Sequence, residues 1–126
     1  INSYMAQSET ILTAQTHPGD STIESVTGEK FKGDGYYGRS DGFHTVQYNI
    51  TGFQGKIKMQ ATLATNPVDA DWFTLDATEH ETIGFANDGA IATGSHIKNF
   101  TGNYVWVRVV VSSWTDGTVN SIQLNH

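Results

Sequence analysis

From Phe53 to Leu63 the chain alternates without a break: Phe53, Gly55, Ile57, Met59, Ala61 and Leu63 occupy every second position, with Gln54, Lys56, Lys58, Gln60 and Thr62 between them. A β-strand sends alternate side chains to opposite faces, so this run has one dry face and one wet face. Two unpaired ammonium groups cannot be buried, whereas Ile57, Met59 and Leu63 each gain about 1.5–3 kcal/mol by leaving water. A second run repeats the pattern, with Val105, Val107, Val109 and Val111 opposite Tyr104, Trp106, Arg108 and Val110. Similar bends precede the two runs, Asn49-Ile50-Thr51-Gly52 and Asn99-Phe100-Thr101-Gly102. The two strands are therefore expected to face each other or to lie side by side at the centre of one core.

The rest of the chain reads as shorter strands separated by turns. Weak strands are expected over residues 10–14 and 21–27, divided by the turn His17-Pro18-Gly19-Asp20, with residues 1–20 forming an N-terminal arm or an edge strand. Residues 43–50 alternate with His44, Val46, Tyr48 and Ile50 on one side, and a short Thr51-Gly52 turn leads into the run from Phe53, which makes the two either hairpin neighbours or strands that cross between sheets. Thr65-Asn66-Pro67 ends the pairing there, since proline cannot donate to a ladder. Residues 72–76 form a short strand, 83–86 and 90–93 a hairpin about Asn87-Asp88-Gly89, and Asp116-Gly117 a turn before a last strand over 118–125 that buries Ile122 and Leu124. With 126 residues, 37% hydrophobic and 16% charged, the chain has the size of one domain, spanning 1–126. The fold class is all-β: a two-sheet antiparallel β-sandwich of jelly-roll type with eight to nine strands.

Thirteen acids against seven bases give a net charge of −6, and no run of Lys or Arg interrupts the polar background. Nucleic acid is not an expected partner, because neutralising phosphates needs clustered cations. With no cysteine, disulfides, thiolate metal sites and a cysteine nucleophile are excluded. No apolar run approaches the roughly 18–20 residues that cross a bilayer, so no membrane partner is expected. The chain opens on INSYMAQSET, with neither a signal peptide pattern nor an initiating Met, and reads as a processed chain or an excised domain.

Few constellations point to chemistry. Residues 33–38 spell GxGxxG, but no buried strand precedes them and no helix follows, so they read as a surface loop using glycines for positive φ. The five histidines lack the close spacing of zinc ligands, and His80 between Glu79 and Glu81 reads as a solvated patch. Asp69-Ala70-Asp71 lacks the other acids and the glycine of an EF-hand, which favours loop solvation or strand termination over calcium. Asn49 and Asn99 open Asn-x-Thr sequons and read as turn residues. Acids lie only in separate turns and no nucleophile elbow is present, so no enzyme, catalytic residue, metal or cofactor is expected. Exposed aromatic rings can stack on sugars. Tyr36 and Tyr37 in the glycine-rich loop and Trp114 beside a turn are the ligand-binding candidates; Trp72 is expected to fold inward as a plug, and Trp106 to sit in a second buried layer or an interface.

Two longer runs, GDGYYGRSDGFHTVQYNITGFQGKIKMQATLATNPVDADWF over residues 33–73 and NFTGNYVWVRVVVSSWTDGTVNSIQLNH over 99–126, resemble a module of virion structural proteins from tailed phages infecting marine cyanobacteria. The resemblance is carried by His44-Thr45-Val46-Gln47, Asp71-Trp72-Phe73 and the closing Leu124-Asn125-His126. It implies a β-sandwich component of a tail, neck, fibre or capsid surface in the virion, assembled in the host cytoplasm. It also implies other virion proteins as partners and a homo-oligomer such as a trimer, and carries over no catalytic residues. An acidic, cysteine-free, strand-rich domain fits a particle assembled in a reducing cytosol. The alternative reading is a carbohydrate-binding module that recognises a glycan receptor through exposed aromatics.

Overall fold

A computed structural model describes residues 8–20, 22–38, 42–82 and 92–125. In chain order the strands are β1 (Glu9–Leu12), β2 (Gln15–Thr16), β3 (Glu24–Thr27), β4 (Phe31–Lys32), β5 (Phe43–Thr62), β6 (Phe73–Glu81), β7 (Gly94–Thr101) and β8 (Trp106–Asn125), with a single 3-10 turn at Asp69–Asp71. The two alternating runs lie side by side: β5 and β8 pair antiparallel from Thr45 opposite Asn125 to Thr62 opposite Trp106. Within that ladder Ile57 faces Val111, Met59 faces Val109 and Ala61 faces Val107.

Two of the bends expected to separate strands lie inside them instead. Along β5 the buried residues switch from His44, Val46, Tyr48 and Ile50 to Phe53, Gly55, Ile57, Met59 and Ala61. One extra residue at Thr51–Gly52, with Gly52 at φ 58°, makes this change of parity, so both halves of the strand keep their apolar side inward. Asp116-Gly117 is likewise no hairpin turn but an irregularity within β8, where Gly117 has φ 88° and Ser113 φ 50°. A bulge conserves the ladder and redirects it, which residue preferences alone do not distinguish from a turn.

These bends let one hydrogen-bonded sheet make both layers of an antiparallel β-sandwich. The first half of β5 pairs with β7 and with the end of β8, which also carries β1 and β2. The second half of β5 pairs with β6 and with the start of β8, which carries β3 and β4. Val46, Tyr48, Ile50, Ile122 and Leu124 from one half and Ile57, Met59, Val107, Val109 and Val111 from the other share a single core. The Tyr48 hydroxyl crosses between the halves and donates to the Thr78 carbonyl of β6 at 2.8 Å. The expected all-β sandwich is therefore present, with two long strands running through both layers.

Three expectations fail locally. Leu63 is 66% exposed, because β5 ends at Thr62. There the Thr62 hydroxyl accepts the Ala64 N–H at 3.1 Å and turns the chain away from the core. His80 is not solvated: it is buried in β6, its ring 4.4 Å from that of His96 in β7, while Glu79 and Glu81 stay outside. Asn49 and Asn99 lie within strands rather than turns; Asn49 donates to the Ser121 hydroxyl at 2.9 Å, and Asn99 accepts from Thr45 at 2.8 Å. The hairpin about Asn87-Asp88-Gly89, the segment Arg39-Ser40-Asp41, and residues 1–7 of the N-terminal arm lie outside the described residues.

Candidate functional site

The start of β8 places the site. β4 pairs with it so that Phe31 stands opposite Val107 and Lys32 opposite Trp106. Phe31 packs against the core. Alternation then puts its neighbours Lys30 and Lys32 on the outer side with Trp106, the wet face of the valine strand.

Beyond β4 the chain winds through consecutive tight turns, the N–H groups of Tyr36, Tyr37 and Gly38 donating to the carbonyls of Gly33, Asp34 and Gly35 at 3.1–3.3 Å. Positive φ explains Gly38, at 73°, but not Gly33 or Gly35. A Cβ on Gly33 would lie 2.4 Å from the Tyr104 carbonyl oxygen and one on Gly35 2.1 Å from that of Asn103, so these two glycines let the loop dock directly on the 103–104 backbone. Two further bonds, from Gly33 N–H to Val105 O and from Gly35 N–H to Tyr104 O, both 2.9 Å, hold it there.

The docked loop delivers Tyr36 to Trp106. Their ring centroids are 5.1 Å apart with planes at 58°, and Tyr37 meets Tyr36 edge-on at 5.6 Å. The Trp106 indole N–H donates to the Thr65 carbonyl at 2.9 Å, which fixes the ring. The Lys30 ammonium sits 4.7 Å from the Trp106 centroid and that of Lys32 4.6 Å from the Tyr36 centroid. Glu9, Lys30, Phe31, Lys32, Tyr37 and Trp106 line an open cleft of about 310 Å³. Tyr36 and Tyr37 are 44% and 50% exposed. Ring faces of this kind pack on the C–H faces of sugars, and ammonium groups donate to their oxygens.

Of the three predicted site residues the structure brings two together. Trp114 is excluded as an exposed contact: it is 3% exposed, its ring edge-on to His17 at 5.6 Å and 6.2 Å from Phe53. Its indole N–H donates to the Asp116 carbonyl at 2.9 Å. Neighbouring turn residues suggest exposure, but the irregularities on either side of Trp114 return it to the core. Trp106, expected in a second buried layer or an interface, is instead a partly exposed ring that lines the cleft in place of Trp114. The signal was available, since Trp106 alternates with the buried valines and so belongs outside.

Elsewhere polar groups serve the fold. Trp72 is not a plug; Arg108 lies 4.3 Å over its ring while donating to the Gln60 side chain at 2.8 Å. Asp71 accepts the Val68 N–H at 2.8 Å and so closes the 3-10 turn. Lys56 pairs with Glu81 at 3.1 Å, a hydrogen bond that, with the charges of Glu81 and Glu79, raises the pKa of Lys56. The hydrogen bonds from Thr22 lower that of Asp20. Among the described residues no three His, Asp or Glu side chains converge as a metal centre would require.

No family model and no curated protein matches this chain. Similar solved structures include a family 29 carbohydrate-binding module, CBM29_1 from Piromyces equi, with TM-score 0.47, 9% identity and coverage of 96% of this chain and 91% of that one. The complex of reduced XRCC1 with the catalytic domain of DNA polymerase beta contains a similar chain, with TM-score 0.48, 8% identity and coverage of 87% and 78%. The SPBc2 prophage-derived protein YomS gives 0.39, 16% identity and coverage of 98% and 96%. Each TM-score lies below 0.5, so what those proteins bind says nothing about this one.

Proposed function

We propose that this chain is a non-enzymatic carbohydrate-binding domain whose site is the cleft walled by Tyr37 and Trp106, with Tyr36 bracing the Trp106 ring. The observation that carries this reading is the locked Trp106. Its indole N–H is spent on Thr65, its ring is buttressed by Tyr36, and its cleft side opens beside a half-exposed Tyr37. A pre-organised aromatic wall loses little entropy on binding, which favours a sugar ring that offers the wall only its C–H face and must desolvate its hydroxyls. A glycan array probed with the wild type, Tyr37→Ala and Trp106→Ala tests it. The wild type is expected to retain at least one glycan that both variants release; binding indifferent to both substitutions removes the cleft as the site.

A structural role in a phage particle is the second reading. Exposed apolar side chains favour it: Leu63, Val68 and Phe73 follow one another along the β5–β6 connection and the start of β6, and Phe43 and Ile97 stand on the outer face of the other layer. Such residues are economically covered by a partner. Sedimentation of the purified chain, with and without particle proteins, discriminates: a monomer at all concentrations that binds no particle component excludes it.

A further inference from the structure

We infer that the ligand of this cleft is an anionic sugar, its charged group held by Lys30 and Lys32 while its ring lies against Tyr37 and Trp106; this rests on the carbohydrate reading above. The chain carries a net charge of −6, yet its cleft is lined by two ammonium groups against one carboxylate, Glu9. Among the described residues neither lysine is paired with a carboxylate, whereas Lys56 is committed to Glu81 and Arg108 to Gln60 and Asp69. Lys30 and Lys32 are held instead at the faces of Trp106 and Tyr36, an attraction that positions an ammonium without neutralising it. Both charges thus flank the rings at fixed places and remain available for an anion.

The spacing argues for a sugar rather than a nucleic acid. Two lysines on either side of Phe31, Lys30 just before β4 and Lys32 within it, suit a single carboxylate or sulfate beside a ring. A phosphodiester chain needs a track of cations, and the overall negative charge opposes it.

Titration calorimetry tests the inference with a galacturonate hexamer, its methyl ester, a chondroitin sulfate hexamer, its unsulfated counterpart, cellohexaose and a dT hexamer. The expected result is that the galacturonate or the chondroitin sulfate hexamer binds roughly five- to ten-fold more tightly than both uncharged probes, as two exposed ion pairs allow. Tighter binding of the chondroitin sulfate hexamer than of its unsulfated counterpart identifies sulfate as the anion, and equal binding of the two identifies carboxylate. Lys30→Gln/Lys32→Gln is expected to erase the preference and leave the residual neutral binding, Lys98→Gln to change nothing, and Tyr37→Ala to weaken every sugar. Equal affinity for charged and uncharged sugars, or a preference that survives in the double variant, overturns the anionic inference and leaves the carbohydrate reading standing. Tighter binding of the dT hexamer than of any sugar overturns both, and binding of none of these probes overturns the anionic inference while the glycan array decides the carbohydrate reading.

Discussion

Gly117 and Gly52 lie back to back where the two long strands bend: a Cβ placed on Gly117 would sit 2.2 Å from the Gly52 carbonyl oxygen. Both have positive φ, 88° and 58°, but a Cβ on Gly52 would meet no atom within 4 Å. The pair separates two costs that glycine removes. Gly52→Ala is expected to lose about 1–2 kcal/mol, the left-handed backbone penalty alone. Gly117→Ala adds a backbone collision at the point where the sheet folds over, so its loss should be clearly larger. Urea melts of both variants check this; equal losses would mean that the bends do not touch.

Thr78 and Tyr48 tie the layers through buried polar atoms. The irregularity between Leu75 and His80 in β6 leaves the Met59 N–H facing the Thr78 hydroxyl, which accepts it at 2.9 Å and donates to the Leu75 carbonyl. Thr78→Val keeps the shape and strands both groups, and should cost about 1–3 kcal/mol, while Thr78→Ser should be milder. Burial pushes the Tyr48 phenol above its ordinary value of 10, outweighing the opposite effect of the Thr78 bond. The folded state then holds a proton that the unfolded chain releases above about pH 10, so this contribution is present below that pH and is lost as pH rises, by up to about 1.4 kcal/mol per unit. Tyr48→Phe removes this slope. Melts of wild type and variant between pH 8 and 11 should converge as pH rises; parallel curves would rule the coupling out.

The core was legible in the sequence because alternation is a geometric rule with an energetic penalty for breaking it. Met59 and Val109 follow from period two, and so does their pairing once both strands need the same dry side. The bends were not legible as bulges, since a glycine with positive φ suits a turn and a bulge equally, and only the change of parity from Ile50 to Phe53 tells them apart. Half of the site was visible for the same reason. Tyr36 and Tyr37 stood out in their loop, and Trp106 was on the wet side of its strand, but bringing them together depends on a docking of Gly33 and Gly35 onto residues 103–104, some 70 positions along the chain.

The two tryptophans of β8 should answer differently to truncation. Trp114→Ala opens a cavity beside Phe53 and should cost about 3–5 kcal/mol. Trp106→Ala, at a partly exposed position, should cost less and reduce the quencher-accessible share of the fluorescence to that of Trp72. Acrylamide quenching with a urea melt checks both; a Trp114→Ala variant as stable as wild type, or one that loses its accessible emission, would reverse the assignment of inner and outer rings.

The end of β5 gives the last test, because Ile57 and Leu63 have the same parity and opposite environments. Sequence alternation treats them alike, yet the strand stops between them, at Thr62. An aspartate at 57 would be an unpaired charge among Met59, Val109 and Val111, and Ile57→Asp should unfold the domain. The same change at 63 meets water, so Leu63→Asp should alter stability by about 0.5 kcal/mol or less. Circular dichroism and urea melts of the two variants measure both effects. Should Leu63→Asp prove as disruptive as Ile57→Asp, Leu63 is covered in the assembled protein, and the exposed apolar row with Val68 and Phe73 becomes an interface.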